Sequence, residues 1–278
     1  MRIAVSNIAW DRPEDDSVAT LLSRHGVDAI DLVASKYFPD LAAATEEQIL
    51  AVGRWWADRG IEITGMQALL FGTTGLNVFG PEPAREAMLA HLGQVCRIAG
   101  GLRSPRLVFG SPRNRDRSGL DERATAEIAL PFFRRLGDIA ADCGVFVCLE
   151  PNPTRYGANF MTDSTETARI VRLVDHSAIR MQFDTGALCI NGENPAEVLR
   201  ACAPLIGHVH ASEPDLVPLG DGGTAHDAMA AALAKFLPHQ VVSIEMVATR
   251  DEPHLTSIER ALKVAFDHYR PAESRTTA

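Results

Sequence analysis

Eight short apolar runs recur along the chain, and amphipathic or polar stretches separate them. Runs of about 4–8 residues are typical of strands in a parallel sheet that is buried on both faces. The runs lie near residues 2–8, 27–33, 61–66, 105–109, 145–150, 179–184, 205–211 and 241–246. Because one strand–loop–helix unit is repeated throughout, the sequence predicts an α/β protein built around parallel strands.

The junctions between these units indicate how the strands are arranged. HGV at 25–27, RGI at 59–61 and CGV at 143–145 each combine a helix end, a glycine and a β-branched residue that opens the next run. The loops that follow the runs are long and polar, whereas the loops that enter them are short. This asymmetry places the functional face at the carboxyl ends of the strands in a (β/α)₈ TIM barrel. We therefore predict eight parallel strands with outer helices; an open doubly wound sheet is the alternative, but no GxGxxG follows the first run.

No Ser- or Pro-rich linker divides the chain, so we expect a single barrel domain over residues 1–270. The polar segment PAESRTTA at 271–278 is expected to be a flexible tail. A homodimer is left open, since barrels of this kind often dimerise.

Charge and cysteine content limit which binding partners and which cellular compartment we expect. With 27 basic and 36 acidic residues, the net charge of −9 disfavours nucleic acid and anionic lipid as partners. The five cysteines lie apart and form no CxxC, which indicates reduced thiols and a cytoplasmic protein. No signal peptide precedes the first run, and no run approaches the roughly 20 apolar residues that span a bilayer. We expect no membrane association.

Polar side chains end the last four apolar runs. They are Glu150, Asp184, His210 and Glu245. Strand alternation gives them the same face as the other polar residues of their strands, Gln182, His208 and Ser243. Burying carboxylates without partners is very costly, and no basic residue stands directly beside them in these runs. A bound cation is the simplest compensation if the four strands are neighbours.

Three carboxylates and one imidazole would form an oxygen-rich site for one divalent metal ion. Such a site favours Mn²⁺ or Mg²⁺, and Zn²⁺, Co²⁺ or Fe²⁺ are alternatives. Four protein ligands on a six-coordinate ion leave about two positions for adjacent oxygens of an α-hydroxycarbonyl compound. The metal would polarise the carbonyl and acidify the neighbouring C–H, leading to an enediolate. Glu150 and Glu245, from runs five and eight, are the natural pair to remove and return the proton.

Several motifs resemble the xylose isomerase-like TIM barrel superfamily, in its sugar phosphate isomerase/epimerase branch. They are LEPNP at 149–153, FDTG at 183–186, GHVHASE at 207–213, VPLGDG at 217–222 and SIEMV at 243–247. The resemblance covers nearly the whole chain in order. For ketose 3-epimerases of this group it implies a metal held by Glu150, Asp184, His210 and Glu245. It also implies that the two glutamates act as acid and base.

The sequence departs from that group around the substrate. Ala187 stands where such epimerases often have a histidine that grips the sugar. The segment PDLVPL replaces an arginine after the HxH motif, and Tyr156 and Asn159 stand where a second glutamate is expected. The metal ligands are thus complete, whereas the sugar-binding residues differ.

Further residues follow the runs and are candidates to bind substrate, each with packing or solvation within its loop as the alternative. They are Trp10, Lys36, Gln67, Asn114 and Tyr156, together with His208 one layer below His210. We expect Lys36 in particular to bind an anionic group or a substrate oxygen. Arg113 and Arg115 are interpreted as part of a solvated charged loop, with a phosphate or carboxylate clamp as the alternative.

The sequence therefore predicts a metal-dependent isomerase or epimerase that acts on a small carbohydrate or polyol. A metal-dependent dehydratase or lyase on a related keto-polyol is the main alternative. A DNA-repair endonuclease is disfavoured, because runs two to four supply no histidine and the charge is −9. A non-catalytic barrel is disfavoured by the complete ligand set.

Overall fold

A computed structural model describes residues 1–270, in which eight parallel strands close into a barrel in chain order. The strands are β1 (Arg2–Ser6), β2 (Ala29–Leu32), β3 (Glu62–Met66), β4 (Arg106–Phe109), β5 (Phe146–Leu149), β6 (Ile179–Asp184), β7 (Ile206–Ser212) and β8 (Val241–Glu245). Each strand pairs with the next, and β8 pairs with β1 to complete the ring. The predicted (β/α)₈ TIM barrel is confirmed. The expected tail at 271–278 lies outside the described residues, and the division into one domain stays a prediction.

The helices alternate with the strands and cover the barrel. They are α1 (Asp15–Arg24), α2 (Glu46–Ala57), α3 (Glu82–Leu102), α4 (Glu122–Asp142), α5 (Ser164–Val174), α6 (Thr185–Asn191), α7 (Pro195–Cys202), α8 (His226–Phe236) and α9 (His254–Tyr269). Two helices, α6 and α7, follow β6 where the sequence pattern indicated one. Within residues 1–270, no helix combines the length and the apolar character needed to cross a bilayer.

Local sequence explains where several of these elements begin and end. Thr45 caps α2 by accepting a hydrogen bond from the Gln48 backbone N–H, and the Gln48 side chain accepts one from the Thr45 N–H in return. The two bonds form a capping box at the start of α2. Gly26, Gly60 and Gly144 have φ values of +63°, +73° and +70°, which L side chains rarely adopt. The three glycine junctions therefore turn the chain from helix to strand as predicted.

Apolar side chains fill the layer between strands and helices, whereas the barrel interior is partly polar. Asp31, Gln182, His208 and Ser243 are fully buried. The registers place Asp184 beside His210 across β6 and β7, and Ser212 beside Glu245 across β7 and β8. The closed barrel therefore brings the polar ends of the last four strands to one rim.

Candidate metal centre

The four side chains that end the last four strands converge at the carboxyl rim of the barrel. Glu150 directly follows β5, Asp184 ends β6, His210 lies in β7 and Glu245 ends β8. One potential ligand atom from each lies within 4.8 Å of the others. Nδ1 of His210 is 3.2 Å from Glu245 Oε2 and 3.9 Å from Glu150 Oε1. The condition on which the sequence prediction depended, that these strands be neighbours, is met.

Amide groups hold two of the carboxylates by one oxygen each. Gln67 Nε2 donates to Glu245 Oε1 at 2.6 Å, and Asn152 Nδ2 donates to Glu150 Oε2 at 2.9 Å. The oxygens left over, Oε2 of Glu245 and Oε1 of Glu150, are the ones that face His210. The amides therefore direct one free oxygen from each glutamate towards a common point.

Asp184 is fixed in a different way, by the helix that follows it. Its Oδ1 accepts from the Ala187 N–H at 2.6 Å, as an N-cap of α6 does, and its Oδ2 accepts from the Ser212 hydroxyl at 2.7 Å. Both oxygens keep further lone pairs, so the carboxylate remains able to bind a cation.

The electrostatics of the cluster favour a cation. Burial, with repulsion from the neighbouring carboxylates, raises the pKa of Glu150 to about 8 and the pKa of Asp184 to about 6. Burial opposes ionisation of Glu245 and His210 too, but their mutual attraction outweighs it, lowering the pKa of Glu245 and raising that of His210. Three carboxylates thus face a single imidazole. The donor set fits a hard divalent ion, which would supply the missing positive charge.

A second buried cluster lies directly beneath. Asp31 Oδ2 is 2.6 Å from His208 Nε2 and 3.4 Å from His210 Nε2, and all three side chains are fully buried. Burial would raise the pKa of Asp31, but the two imidazoles lower it well below its usual value. These three residues also meet the distance criterion for a metal-binding group, as do Asp11, Glu14 and His254 at the periphery. Sequence reasoning missed Asp31, although a charged residue inside the apolar run AIDL was a usable signal.

Two glycines leave room for these carboxylates. A Cβ atom on Gly65 of β3 would lie 2.5 Å from Asp31 Oδ1 and 3.0 Å from His208 Nε2. A Cβ atom on Gly110, after β4, would overlap Glu150 Oε2. Close approach of backbone to side chain therefore explains both glycines.

A cavity of about 620 Å³ opens above the cluster and is lined by Glu150, Asp184 and Glu245. Of the other predicted substrate-binding residues, Gln67 and Tyr156 line it. The Tyr156 hydroxyl accepts a hydrogen bond from the Asp215 N–H at 2.7 Å, so part of its bonding capacity is already used.

The structure places the remaining predicted substrate-binding residues away from the cavity wall. Trp10 is fully buried and its Nε1 donates to Asp15 at 2.8 Å. Asn114 is buried and donates to the Leu76 carbonyl at 2.7 Å, while His208 lies in the layer below with Asp31. These contacts are structural.

Lys36 differs from expectation most clearly. Its Nζ donates to the backbone carbonyls of Asn7 and Trp10, both at 2.6 Å, and the side chain is half-buried. The ammonium group therefore connects the loop after β2 to the loop after β1, and it does not face an anion in the cavity.

Arg115 departs from both interpretations of its loop, since it is neither solvated nor a clamp at the surface. The side chain is fully buried and donates to the backbone carbonyl of Glu150 at 2.7 Å. Arg113 is exposed. Arg115 therefore supports the backbone that presents Glu150.

Glu213 is a further cavity residue that sequence reasoning left without a role. Its buried carboxylate accepts from the backbone N–H groups of Gly220 at 2.7 Å and Thr224 at 2.9 Å. It also bonds to His226 Nε2 at 2.9 Å. Despite burial, these bonds lower the pKa of Glu213 to about 2. Its place in the GHVHASE motif was the available signal.

Comparisons with known proteins agree with this architecture. The family model described as xylose isomerase-like TIM barrel matches residues 19–268. A segment of 85 residues, 30% of this chain, is 32% identical to inosose dehydratase from Clostridium botulinum (strain Alaska E43 / Type E3) and covers 27% of that protein. The matched segments span less than a third of the length of the curated relatives.

Solved structures share the fold over nearly the whole chain. The structure of D-psicose 3-epimerase with D-tagatose from Clostridium cellulolyticum H10 has a TM-score of 0.80 and 19% identity, covering 97% of this chain and 98% of that one. The structure of the IOLI protein with a bound zinc atom has a TM-score of 0.76 and 18% identity, covering 99% of this chain and 100% of that one. At these identities the likeness concerns the fold.

Proposed function

The chain belongs to the xylose isomerase-like TIM barrel family, and from this premise we propose that it is a divalent-metal-dependent isomerase or epimerase of a small carbohydrate or polyol. The observation that carries the proposal is the convergence of Glu150, Asp184, His210 and Glu245 at one point, where the three carboxylates line the cavity. The D-psicose 3-epimerase of the same fold supports this reaction class.

The same four side chains are proposed to hold the metal. Three carboxylates and one imidazole suit Mn²⁺ or Mg²⁺, and the zinc-bound IOLI protein makes Zn²⁺ a realistic alternative. When bound, the ion would polarise a substrate carbonyl and acidify the adjacent C–H bond.

Glu150 and Glu245 are proposed to move the proton. They come from strands separated by two others, so their carboxylates approach the cavity from different sides of the cluster. One glutamate would remove the proton next to the carbonyl and the other would return it. Asn152 and Gln67 would keep the two carboxylates oriented through their hydrogen bonds.

Replacing each glutamate tests this mechanism. We expect Glu150→Gln and Glu245→Gln to lower turnover by about 10²–10⁴-fold, because each removes an acid–base group while keeping its shape. The measurement is metal-dependent exchange of substrate C–H with solvent deuterium across a panel of ketoses. Circular dichroism checks the fold, and Glu127→Gln on the exposed face of α4 serves as a matched control. Full activity in both active-site variants would contradict the mechanism.

A dehydratase is the second candidate, favoured by the similarity to inosose dehydratase. Ala187 lines the cavity at the position where ketose 3-epimerases often have a histidine that binds the sugar. That contact to a ketose is missing here. The same exchange experiment separates the two reactions. Deuterium incorporation without loss of water indicates isomerisation, whereas a product lighter by one water indicates dehydration.

A further inference from the structure

Among the described residues, every charged side chain that lines the cavity is acidic. They are Glu150, Asp184, Glu213, Asp215 and Glu245. The neighbouring cations do not line the cavity. Arg155 pairs with Asp215 and compensates its charge, Lys36 binds backbone carbonyls, and the buried Arg115 donates to the backbone carbonyl of Glu150. Even with a divalent ion bound, the cavity would keep a negative potential that repels anions.

Several backbone N–H groups in the loops that bind phosphate in many barrels are already engaged. Phosphate groups often bind at the loops after strands seven and eight. Here Gly220 and Thr224, in the loop after β7, donate their N–H groups to the Glu213 carboxylate. After β8, Val247 and Ala248 donate theirs to backbone carbonyls. An internal carboxylate therefore takes the place that a phosphate would need.

The outer wall of the cavity is apolar. It is formed by Leu69, Leu70, Phe71, Pro112, Pro153 and Leu216, which we call the apolar wall. Phe71 is 74% exposed at the mouth, which is unusual for a phenylalanine without a partner. A single sugar ring carries hydroxyl groups on all sides and would make few apolar contacts with this wall.

The volume of the cavity and the placement of its polar groups also bear on the kind of ligand it holds. At about 620 Å³ it falls within the range of about 300–1,000 Å³ that encloses drug-sized ligands. The polar groups are concentrated at the base around the candidate metal centre, and the apolar wall lies towards the mouth. The ligand should therefore have a polar end and an apolar end.

Building on the function proposed above, we infer that the substrate is an uncharged keto sugar or polyol that carries an apolar substituent, such as an aryl aglycone. Its α-hydroxycarbonyl end faces the four rim residues, and its substituent packs against the apolar wall, with Phe71 over the mouth. Burial of the apolar substituent supplies the affinity that a histidine at position 187 would otherwise provide.

Binding of matched probes tests this inference. Methyl and phenyl 3-keto-β-D-glucosides share the same reacting ring and differ only in the aglycone. We expect the manganese-loaded protein to bind the phenyl compound at least about 10-fold more tightly, as measured by calorimetry, because it buries an aromatic ring. The 6-phosphate of the methyl compound should bind more weakly than the methyl compound itself.

Two variants connect the preference to the apolar wall. Phe71→Ala should reduce the phenyl-to-methyl ratio at least about 3-fold and leave the methyl Kd nearly unchanged. Leu173→Ala, an exposed leucine on α5, is the control and should change neither value. Phenyl binding no tighter than methyl binding, including the case in which neither binds, or tighter binding of the phosphate, would overturn the inference.

The deuterium-exchange assay with simple ketoses answers a separate question. If the phenyl preference is found without exchange, the substrate class stands and the proposed reaction fails. If exchange is found without the preference, the reaction stands and the substrate class fails.

Discussion

At the scale of single residues, the buried carboxylate of Asp31 contacts both histidines of β7. One of its carboxylate oxygens lies between the Nε2 atoms of His208 and His210, at 2.6 and 3.4 Å. Nδ1 of His210 is thereby turned towards Glu150 and Glu245. A carboxylate behind a metal-binding histidine commonly fixes its tautomer and ring orientation. Asp31 would act on the candidate metal centre through His210, as a positioning residue.

Loss of this carboxylate should weaken metal binding. We expect Asp31→Asn to reduce the affinity for Mn²⁺ by about 10–100-fold, since His210 would lose its orienting partner. Calorimetric titration of the metal-free protein measures the affinity, and a thermal melt confirms that the variant is folded. Asp16→Asn, at an exposed carboxylate that pairs with Arg59, is the matched control. An unchanged affinity in Asp31→Asn would show that the lower cluster is independent of the metal centre.

At the scale of elements, the segment between β7 and α8 is organised by one internal carboxylate. Glu213 accepts bonds from two backbone N–H groups of this segment and bonds to His226 at the start of α8. His226 Nδ1 in turn bonds to the Tyr269 hydroxyl at 2.6 Å, at the end of α9. The segment on the cavity wall is thus connected to the last helix through buried polar groups.

This arrangement predicts a pH-dependent contribution to stability. The pKa of Glu213 is lowered to about 2 in the folded protein, below the unfolded value of about 4.3, so its contribution is complete above about pH 5 and is lost as the pH falls towards 2. We expect Glu213→Gln to lower the free energy of unfolding by ~2 kcal/mol at pH 7.

Urea denaturation at several pH values measures the difference between the two proteins. It should shrink by about half between pH 6 and pH 3. Glu259→Gln, in an exposed pair with His25, is the control and should show a small difference at every pH. A difference for Glu213→Gln that does not change with pH would show that the carboxylate charge is not responsible.

The sequence was informative about strands and their ends and less so about the loops. Strand alternation and the closed barrel suffice to bring Glu150, Asp184, His210 and Glu245 together, because their position depends on backbone periodicity. The position of the Lys36 side chain depends on its hydrogen bonds to the carbonyl groups of Asn7 and Trp10, and only the folded chain brings these groups near it. For the same reason the burial of Arg115 under Glu150 left no periodic pattern in the sequence.

At the scale of the whole molecule, the candidate metal centre depends on much of the barrel. Its four rim residues lie at or near the ends of β5 to β8, Gln67 follows β3, and Asp31 lies in β2. The unfolded chain does not hold these groups together, so a metal ion that binds them stabilises the folded state.

Metal binding should therefore raise the melting temperature. At a free Mn²⁺ concentration 100 times its Kd, the stabilisation is about 2.7 kcal/mol, which corresponds to a rise of several degrees for a chain of this size. Differential scanning fluorimetry measures the rise, and a chelator should reverse it.

Asp184→Asn provides the matched control, because it removes one proposed ligand and should make the rise much smaller. A melting temperature that is insensitive to Mn²⁺, Mg²⁺ and Zn²⁺ at saturating concentrations would contradict a site built from the folded barrel.

The pairing of β1 with β8 has a consequence for synthesis on the ribosome. β1 can complete its hydrogen bonding only after β8 has been synthesised. Because Glu245 ends β8, a nascent chain cannot assemble the full ligand set until all eight strands have been synthesised. Metal would therefore be captured by a completed barrel and not by its first half.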